Sequence, residues 1–321
     1  MAAVSHSSIG RVVDLREFSA EDLNPVLEEE RASWRSALSW DFTPSAELVR
    51  RFVSIRALNG HALILDGRII GYSYHVREER KALIGDLYVM RRFASGENER
   101  LLLEAGLKSL MELPYLHRIE AQLMMLQGGL ARNLPYARQL NLEPREFMLA
   151  DLDRVDQLPR GSAARDWEFP LWTDDRHDEA AALITRAYRG HIDSTINDQY
   201  RSFQGAQRFL TNIVQYPGCG TFFCPASFCA VDSSGRMGGI SLGSLVASDV
   251  GHITQICVLP EVQGTGLGYE LIRRSLVSFA EHGCEKASLT VTSSNAQAIK
   301  LYQRVGYRST RRFAAYVWEG F

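Results

Sequence analysis

The sequence has no long apolar run, no excess of either charge and few cysteines. No segment reaches the ~18 uninterrupted apolar residues that a membrane-spanning helix needs, and residues 1–18 lack the apolar core of a signal peptide. Thirty-six Lys and Arg against 38 Asp and Glu leave a formal net charge of −2. No bulk positive field therefore favours nucleic acid or an anionic membrane as a partner. We expect a cytoplasmic protein that binds neither.

The cysteines give no basis for a disulfide framework, because they are odd in number and all lie in the second half. They are Cys219, Cys224, Cys229, Cys257 and Cys284. The even spacing of the first three suggests a metal site, but it is longer than a Cys-x2-4-Cys knuckle and no His follows at ligand distance. We therefore predict reduced thiols, buried as small side chains, and no metal site.

The length of 321 residues, with 45% hydrophobic residues, is typical of two globular domains. Residues 151–165 combine charge, Pro, Gly and Ser without helical or strand periodicity, as a linker does. We predict a first domain over residues 1–153, a linker over 154–164 and a second domain over 165–321.

The two halves repeat each other. Residues 62–71 predict two strands joined at an Asp-Gly turn, and residues 228–239 predict a second hairpin with a longer turn. Three residues of the first hairpin match three of the second at a constant separation of 168 positions: Gly67, Arg68 and Gly71 match Gly235, Arg236 and Gly239.

The order of elements around each hairpin also repeats. Apolar strands at 83–89 and 253–259 are followed by amphipathic helices at 99–110 and 267–280. Later strands are predicted at 119–125, 146–152, 287–291 and 313–318, with a short helix before the closing strand of each half. Both halves open with a short strand and then helices, at 179–188 and 198–214 in the second. The predicted fold class is α/β (mixed α+β), with a mixed, mostly antiparallel sheet flanked by helices in each of two duplicated domains.

A glycine-rich turn in the second half carries the strongest chemical signal. The predicted strand stops at Pro260, glycines occupy positions 264, 266 and 268, and an amphipathic helix follows. Without side chains there, backbone N–H groups can converge on an anion at the helix N-terminus. The pattern therefore predicts a ligand that carries a pyrophosphate.

Two common phosphate-binding motifs do not fit this turn. A nucleotide-hydrolase P-loop needs a Lys after its glycines, and none follows here. A dinucleotide-binding turn has the pattern G-x-G-x-x-G early in its domain, with an acidic residue ~20 positions later. Here the turn comes late, and the next strand ends in Val-Thr-Ser-Ser at 291–294. Nicotinamide or flavin binding would be needed to revive that interpretation.

A third interpretation fits better. Residues 263–268, Gln-Gly-Thr-Gly-Leu-Gly, resemble the Q/R-x-x-G-x-G/A acyl-CoA loop of the GNAT superfamily of N-acetyltransferases. Asn295, a helix carrying Leu301 and Tyr302, and then Gly306 and Tyr307 resemble the other recurrent segment of that superfamily. The two segments occur in the family's order and separation. The resemblance covers residues 167–321, whereas the first half shares only the order of elements. It implies two tandem GNAT-like domains.

The resemblance implies roles for individual residues. The backbone of Ile256, Cys257 and Val258 would hold the pantetheine arm of acetyl-CoA in a V-shaped gap of the sheet. The amides of Gln263, Gly264, Thr265, Gly266, Leu267 and Gly268 would hold its pyrophosphate. Asn295 would contact the arm, and Tyr302 would act as general acid for the departing thiolate. These two are seven positions apart and so share a helix face. Alternatively, Asn295 is an N-cap and Tyr302 a core aromatic.

The general base and the acceptor site are less defined. His252 is the nearest candidate base, but its place at the start of a strand favours a surface residue over a catalyst. A polar segment between the first two helices contains His191, Asp193, Asn197 and Tyr200. Two interpretations stay open: it binds the acceptor, or it is a solvated loop in which Asp193 or Asn197 caps the next helix.

The first half is predicted to have lost this site. Aligning the strands puts Glu97 and Glu99 at the positions of Gly266 and Gly268, where their charge would repel a pyrophosphate. The same comparison puts Ala137 at the position of Tyr302 and Leu130 at that of Asn295. We therefore expect a degenerate, non-catalytic first domain, as in tandem members of the superfamily.

The expected activity is that of an acyltransferase enzyme. It would transfer an acetyl group from acetyl-CoA to a primary amine of a small molecule or peptide by direct attack, in the second domain. The alternative is a non-catalytic acyl-CoA-binding module with a regulatory or interaction role, which would need the glycine loop but not Tyr302.

Overall fold

The computed structural model describes residues 9–127, 134–216 and 220–321. The mixed α/β fold class is confirmed, with eight α-helices and twelve strands in these residues. The helices are Ala20–Leu38 (α1), Thr43–Ser54 (α2), Gly96–Met111 (α3), His177–Ala187 (α4), Asp193–Ile196 (α5), Phe203–Gln215 (α6), Leu267–Glu281 (α7) and Ala296–Arg304 (α8). The strands are Arg11–Asp14 (β1), Gly60–Leu65 (β2), Arg68–Glu78 (β3), Lys81–Val89 (β4), Arg118–Gln122 (β5), Leu140–Asp151 (β6), Thr221–Phe222 (β7), Phe228–Val231 (β8), Met237–Ala247 (β9), Val250–Val258 (β10), Lys286–Thr292 (β11) and Arg308–Glu319 (β12). Within this part of the chain, no helix combines the length and the apolar character that crossing a bilayer requires.

The chain forms two compact units. The amino-terminal unit comprises residues 1–144 and 313–321, and the carboxy-terminal unit comprises residues 145–312. The boundary between the units lies between residues 144 and 145, before the linker expected over 154–164. Strand pairing explains the difference. The end of β12 pairs with β5, whereas the second part of β6 pairs with β11.

The sheet of the amino-terminal unit has the strand order β1-β2-β3-β4-β5-β12. Its neighbours are antiparallel except β4 and β5, which are parallel. The predicted hairpin is confirmed: β2 and β3 join at Asp66 and Gly67, both with positive φ. Helix α3 packs its apolar face, including Leu103 and Leu107, against this sheet.

The sheet of the carboxy-terminal unit has the order β6-β11-β10-β9-β7, with β8 also on β9. The second hairpin is confirmed as β8 and β9, with Gly235 at φ 80° in its turn. Ile240 and Leu242 pack against α4 and α6, whereas the hydroxyl of Ser241 bonds that of Ser275 on α7. Alternate residues of β9 thus face helices on opposite sides of this sheet.

Two predicted elements of the second half differ from the structure, and one predicted helix of the first half lies partly outside the described residues. The short strand expected at the start of the second half is only two isolated bridges, Glu168 to Val231 and Leu171 to Phe228. The helix expected over 198–214 is divided into a 3-10 turn, Asp198–Arg201, and α6. The short helix expected before β6 falls partly on 128–133, outside the described residues.

Candidate functional site

A gap opens in the carboxy-terminal sheet beside β10. This strand pairs with β9 along its length, from Val250 to Val258. It pairs with the parallel strand β11 only from Val250 to His252. Beyond His252, the backbone of β10 has no strand partner on that side among the described residues. The side chains of Ile256, Cys257 and Val258 are half-buried beside this gap.

The glycine loop follows β10 directly and leads into α7. Gly264 has φ 78° and Gly266 has φ 91°, a backbone conformation that side chains disfavour. Gly266 is the N-cap of α7 and gives it no side-chain hydrogen bond. The first amides of α7 therefore have no side-chain cap, and they point out of the end that the helix dipole makes positive.

The expected linker is fastened to this loop within the same unit. Ser162 Oγ donates to the carbonyl of Thr265 at 3.0 Å, and the backbone N–H of Gly161 donates to Glu270 Oε2 at 2.7 Å. Glu270 has no solvent exposure and also accepts hydrogen bonds from Arg273 and Arg274. Sequence reasoning missed this contact, although a carboxylate within the apolar face of α7 was a signal for a buried partner.

Asn295 and His191 meet beside the gap. Asn295 Oδ1 accepts the backbone N–H of Ala298 at 3.1 Å, so this residue does cap α8. Its Nδ2 lies 3.3 Å from His191 Nε2. The cap thus fixes the Asn295 side chain, and the N-cap residue of α8 contacts the polar segment at His191.

Tyr302 lies on α8, two helical turns from Asn295, and is buried. Its ring packs edge-on against Tyr307. Within the described ranges its hydroxyl has no hydrogen-bond partner, so the phenol is free to donate. Burial first, and then the charge of Asp193, raise the pKa of Tyr302, while Arg145 acts in the opposite direction. Tyr302 therefore keeps its proton at neutral pH.

The polar segment packs onto β10 and is not a solvated loop. Tyr188 and Tyr200 stack at 4.2 Å between ring centroids. Gln255 joins their hydroxyls, donating to Tyr188 at 2.9 Å and accepting from Tyr200 at 3.2 Å. Asn197 accepts the backbone N–H of Gln199 and caps the 3-10 turn.

Asp193 is the charged centre of this segment. Its Oδ1 accepts the hydroxyl of Thr292 on β11 at 2.5 Å, and its Oδ2 lies 3.7 Å from His191 Nδ1. Arg145, on β6, places Nη1 4.0 Å from Asp193 Oδ1. Sequence reasoning missed Arg145, since only the pairing of β6 with β11 brings it beside Thr292.

Comparison with known proteins identifies this arrangement. Residues 192–307 match the model of the acetyltransferase (GNAT) family. The resemblance of the second half to the GNAT acetyltransferases is thus confirmed. A mycothiol acetyltransferase from Actinosynnema mirum is 29% identical over 182 residues, which cover 56% of each chain. The chain thus spans about half the length of the curated relatives that it matches.

Solved structures share the tandem GNAT fold over nearly the whole chain. A GCN5-related N-acetyltransferase from Sphaerobacter thermophilus aligns with a TM-score of 0.67 at 16% identity, over 99% of this chain and 97% of that one. A tandem GNAT protein from the clavulanic acid biosynthesis pathway aligns with a TM-score of 0.57 at 16% identity, over 97% of this chain and 98% of that one. The expected duplication of a GNAT-like fold is confirmed.

His252, the candidate base, lies near the start of β10, whereas the glycine loop follows the end of that strand. It is not a surface residue. It is buried, with Nδ1 3.0 Å from Ser288 Oγ on the neighbouring strand. Burial lowers its pKa to about 3. Such an imidazole is a poor proton acceptor at neutral pH, so the geometry does not favour His252 as the base.

The cysteines are separate side chains, each in its own packing environment. Cys229 is buried, and burial raises its pKa to about 12. Cys257 lies at the gap, and burial likewise raises its pKa to about 12. Cys219 lies outside the described residues. In the remainder, no three His, Cys, Asp or Glu side chains cluster as metal ligands would.

The amino-terminal unit has a strand gap and a helix start that correspond to those of the carboxy-terminal unit. Strand β4 pairs with β5 only from Lys81 to Ile84, so a similar gap opens. The loop before α3 is two residues shorter, however. Two residues, 94 and 95, separate the 3-10 turn from α3, whereas four residues, 263–266, precede α7.

The register predicted for this loop was therefore wrong by two positions. Ser95, not Glu97, corresponds to Gly266 as the N-cap, and its side chain accepts the N–H of Asn98. Glu97 is exposed, and buried Glu99 accepts the N–H of Gln127 at 2.6 Å. Ala137 lies in a turn rather than a helix, and Leu130 lies outside the described residues.

Proposed function

We propose that the protein is an N-acetyltransferase that transfers an acetyl group from acetyl-CoA to a primary amine of a small molecule or peptide, with its active site in the carboxy-terminal unit. One observation carries the proposal: the gap beside β10 continues into an uncapped glycine loop. The backbone of Ile256–Val258, which pairs with β9 but not with β11, and the amides at 263–268 thus follow one another along the chain. The mycothiol acetyltransferase relatives support acetyl transfer as the reaction class.

The residues present fit acetyl-CoA. The backbone of Ile256, Cys257 and Val258 would bind its pantetheine arm, the amides of 263–268 would bind its pyrophosphate, and Asn295 would contact the arm. The bound cofactor supplies an acyl group activated as a thioester. Tyr302 holds a proton on a hydroxyl with no competing partner within the described ranges, available to the departing sulfur.

The acceptor would enter from the side of the polar segment. Tyr188, Tyr200 and Gln255 form a hydrogen-bonded wall next to β10. Asp193 adds a carboxylate that can hold an ammonium group by charge-assisted hydrogen bonds. These groups would orient the amine for direct attack.

The first test is calorimetric titration of acetyl-CoA, CoA and NAD into the wild type and a Gly266→Glu variant. A side chain at Gly266 meets Ser162 Oγ at 2.7 Å and demands a strained φ, and the added charge repels a pyrophosphate. Gly235→Glu is the matched control, since Gly235 also has positive φ but lies in open space in the β8–β9 turn. We expect acetyl-CoA to bind the wild type and Gly235→Glu, and not Gly266→Glu.

Turnover distinguishes an enzyme from a binding module. Release of free CoA thiol is measured with a panel of primary amines, with Tyr302→Phe as the inactive reference. Tight acetyl-CoA binding without turnover of any amine would favour the regulatory module. Binding that survives Gly266→Glu, or that appears only with NAD, would mean that the site is misplaced.

A further inference from the structure

The side chain of Arg145 is largely buried, and most of its donors have no hydrogen-bond partner among the described residues. Its side chain is 11% exposed. Of its five N–H donors, one from Nη2 reaches Thr290 Oγ1 at 3.1 Å, and buried Nε has no partner in the described part of the chain. The 4.0 Å between Nη1 and Asp193 Oδ1 is too long for a hydrogen bond. The Asp193 carboxylate offsets the charge, but within the described residues the buried Nε–H lacks the hydrogen bond that burial normally requires.

Arg145 and Asp193 lie together beside the end of β11. Arg145 is opposite Thr292 in the β6–β11 register, and Thr292 bonds Asp193. Both charges act electrostatically on the hydroxyls of Tyr302 and Tyr200. Arg145 is therefore a neighbour of Asp193, which belongs to the polar segment proposed for the acceptor.

We propose that the acceptor carries a carboxylate next to its amine, as an α-amino acid does, and that Arg145 binds this carboxylate while Asp193 binds the ammonium group. The inference rests on the proposed function and names the substrate class of the same site. A positive and a negative group side by side match a zwitterion. A plain amine would offer no acceptor to the unused N–H donors of Arg145, and a dianionic phosphate would be repelled by Asp193.

The reaction in this arrangement balances with the groups named. The ammonium gives up a proton to solvent, and the neutral nitrogen forms a bond to the thioester carbonyl carbon. The carbon–sulfur bond breaks, and the sulfur takes the proton of Tyr302. The nitrogen loses its second proton to solvent as the amide forms, and the Tyr302 phenolate regains a proton from solvent. Arg145 forms and breaks no bond; it fixes the orientation of the acceptor and determines specificity.

The test compares α-amino acids with their α-amides, which keep the amine and lose the negative charge. We expect the wild type to prefer the acids in kcat/KM by about tenfold to a hundredfold, the range for a hydrogen bond to a charged group. Arg145→Gln should reduce that preference to about one by lowering the rates with acids only. Arg145→Lys should restore part of it. The matched control, Arg154→Gln, removes an arginine whose side chain is 79% exposed and should leave the preference unchanged.

The outcomes are separable. Acetyl-CoA affinity and thermal midpoint, measured on each variant, show whether Arg145→Gln is folded and binds the donor. Equal use of acids and amides by the wild type, or an equal loss of both in folded Arg145→Gln, would overturn the role of Arg145 and leave the acetyltransferase proposal standing. If neither acids nor amides nor plain amines are acetylated, the proposed function itself fails, and this inference fails with it.

Discussion

The backbone N–H of Gly161 lies 2.7 Å from Oε2 of Glu270, a carboxylate without solvent exposure. Arg273 and Arg274 neutralise the same carboxylate from the next turn of α7. One buried charge thus joins the segment before the second repeat to the helix that begins at the glycine loop. The loop conformation depends on this network as well as on its glycines.

Glu270→Gln is expected to destabilise the protein by about 1–3 kcal/mol, because the amide cannot accept all four hydrogen bonds from Gly161, Arg273 and Arg274. Burial raises the pKa of Glu270, but the bonds from Arg273, Gly161 and Arg274 outweigh it and lower the pKa below its ordinary value of 4.5. The stabilisation is therefore present above pH 4.5 and lost as pH falls below it. Urea unfolding at pH 7 and pH 4 measures both effects. Glu281→Gln, at the exposed end of α7, is the control, and an equal loss at both pH values would contradict the argument.

Tyr302→Phe should lower kcat by about a hundredfold or more, the usual contribution of a positioned acid. Acetyl-CoA affinity should change little. Since the pKa of Tyr302 is raised, the rate should show no alkaline decline from this group up to pH ~10. Tyr307→Phe is the matched control: its hydroxyl is buried without a partner, so its removal should preserve activity and stability. Comparable losses in both variants would point to packing rather than acid catalysis.

Acetyl-CoA should bind with a stoichiometry of one per chain. In the amino-terminal unit the loop before α3 is two residues shorter, Ser95 already satisfies the N–H of Asn98, and Glu97 adds a negative charge to the first turn. Calorimetric titration gives the number directly. A second site, retained in Gly266→Glu, would show that the amino-terminal unit still binds the cofactor.

Glu30→Gln should stabilise the amino-terminal unit at neutral pH, by on the order of 1 kcal/mol. Burial, and then the charge of Asp86, raise the pKa of Glu30 well above its ordinary value of 4.5. The folded state thus retains a proton that the unfolded chain loses, so stability falls as pH rises above 4.5. Thermal midpoints from pH 5 to pH 8 should decline less in the variant than in the wild type. Exposed Glu47→Gln on α2 should follow the wild type; a variant that declines in parallel would show that Glu30 is already ionised.

Local signals in the sequence predicted much of the fold. Asp66 and Gly67 mark one hairpin and Gly235 marks the other, because turn conformations restrict which residues fit them. The glycines at 264 and 266 likewise marked the turn between β10 and α7, because both adopt positive φ. The order of elements then sufficed to predict a duplicated α/β fold.

Features that depend on distant contacts could not be predicted. Arg145 and Asp193 meet only because β6 pairs with β11 and Thr292 holds Asp193. His252 could equally have been exposed, since strand alternation does not distinguish a covered face from an open one. The two-residue shortening before α3 was missed because the halves were aligned on their strands rather than on their helix starts.

The closing strand has a consequence for how the chain folds during synthesis. Residues 313–321 complete the amino-terminal sheet at β5, yet they leave the ribosome after the whole carboxy-terminal unit. The unit made first is therefore finished last, and until then β5 is an open strand edge able to pair with other chains. A nascent chain stalled before residue 313 should be the species that most needs a chaperone.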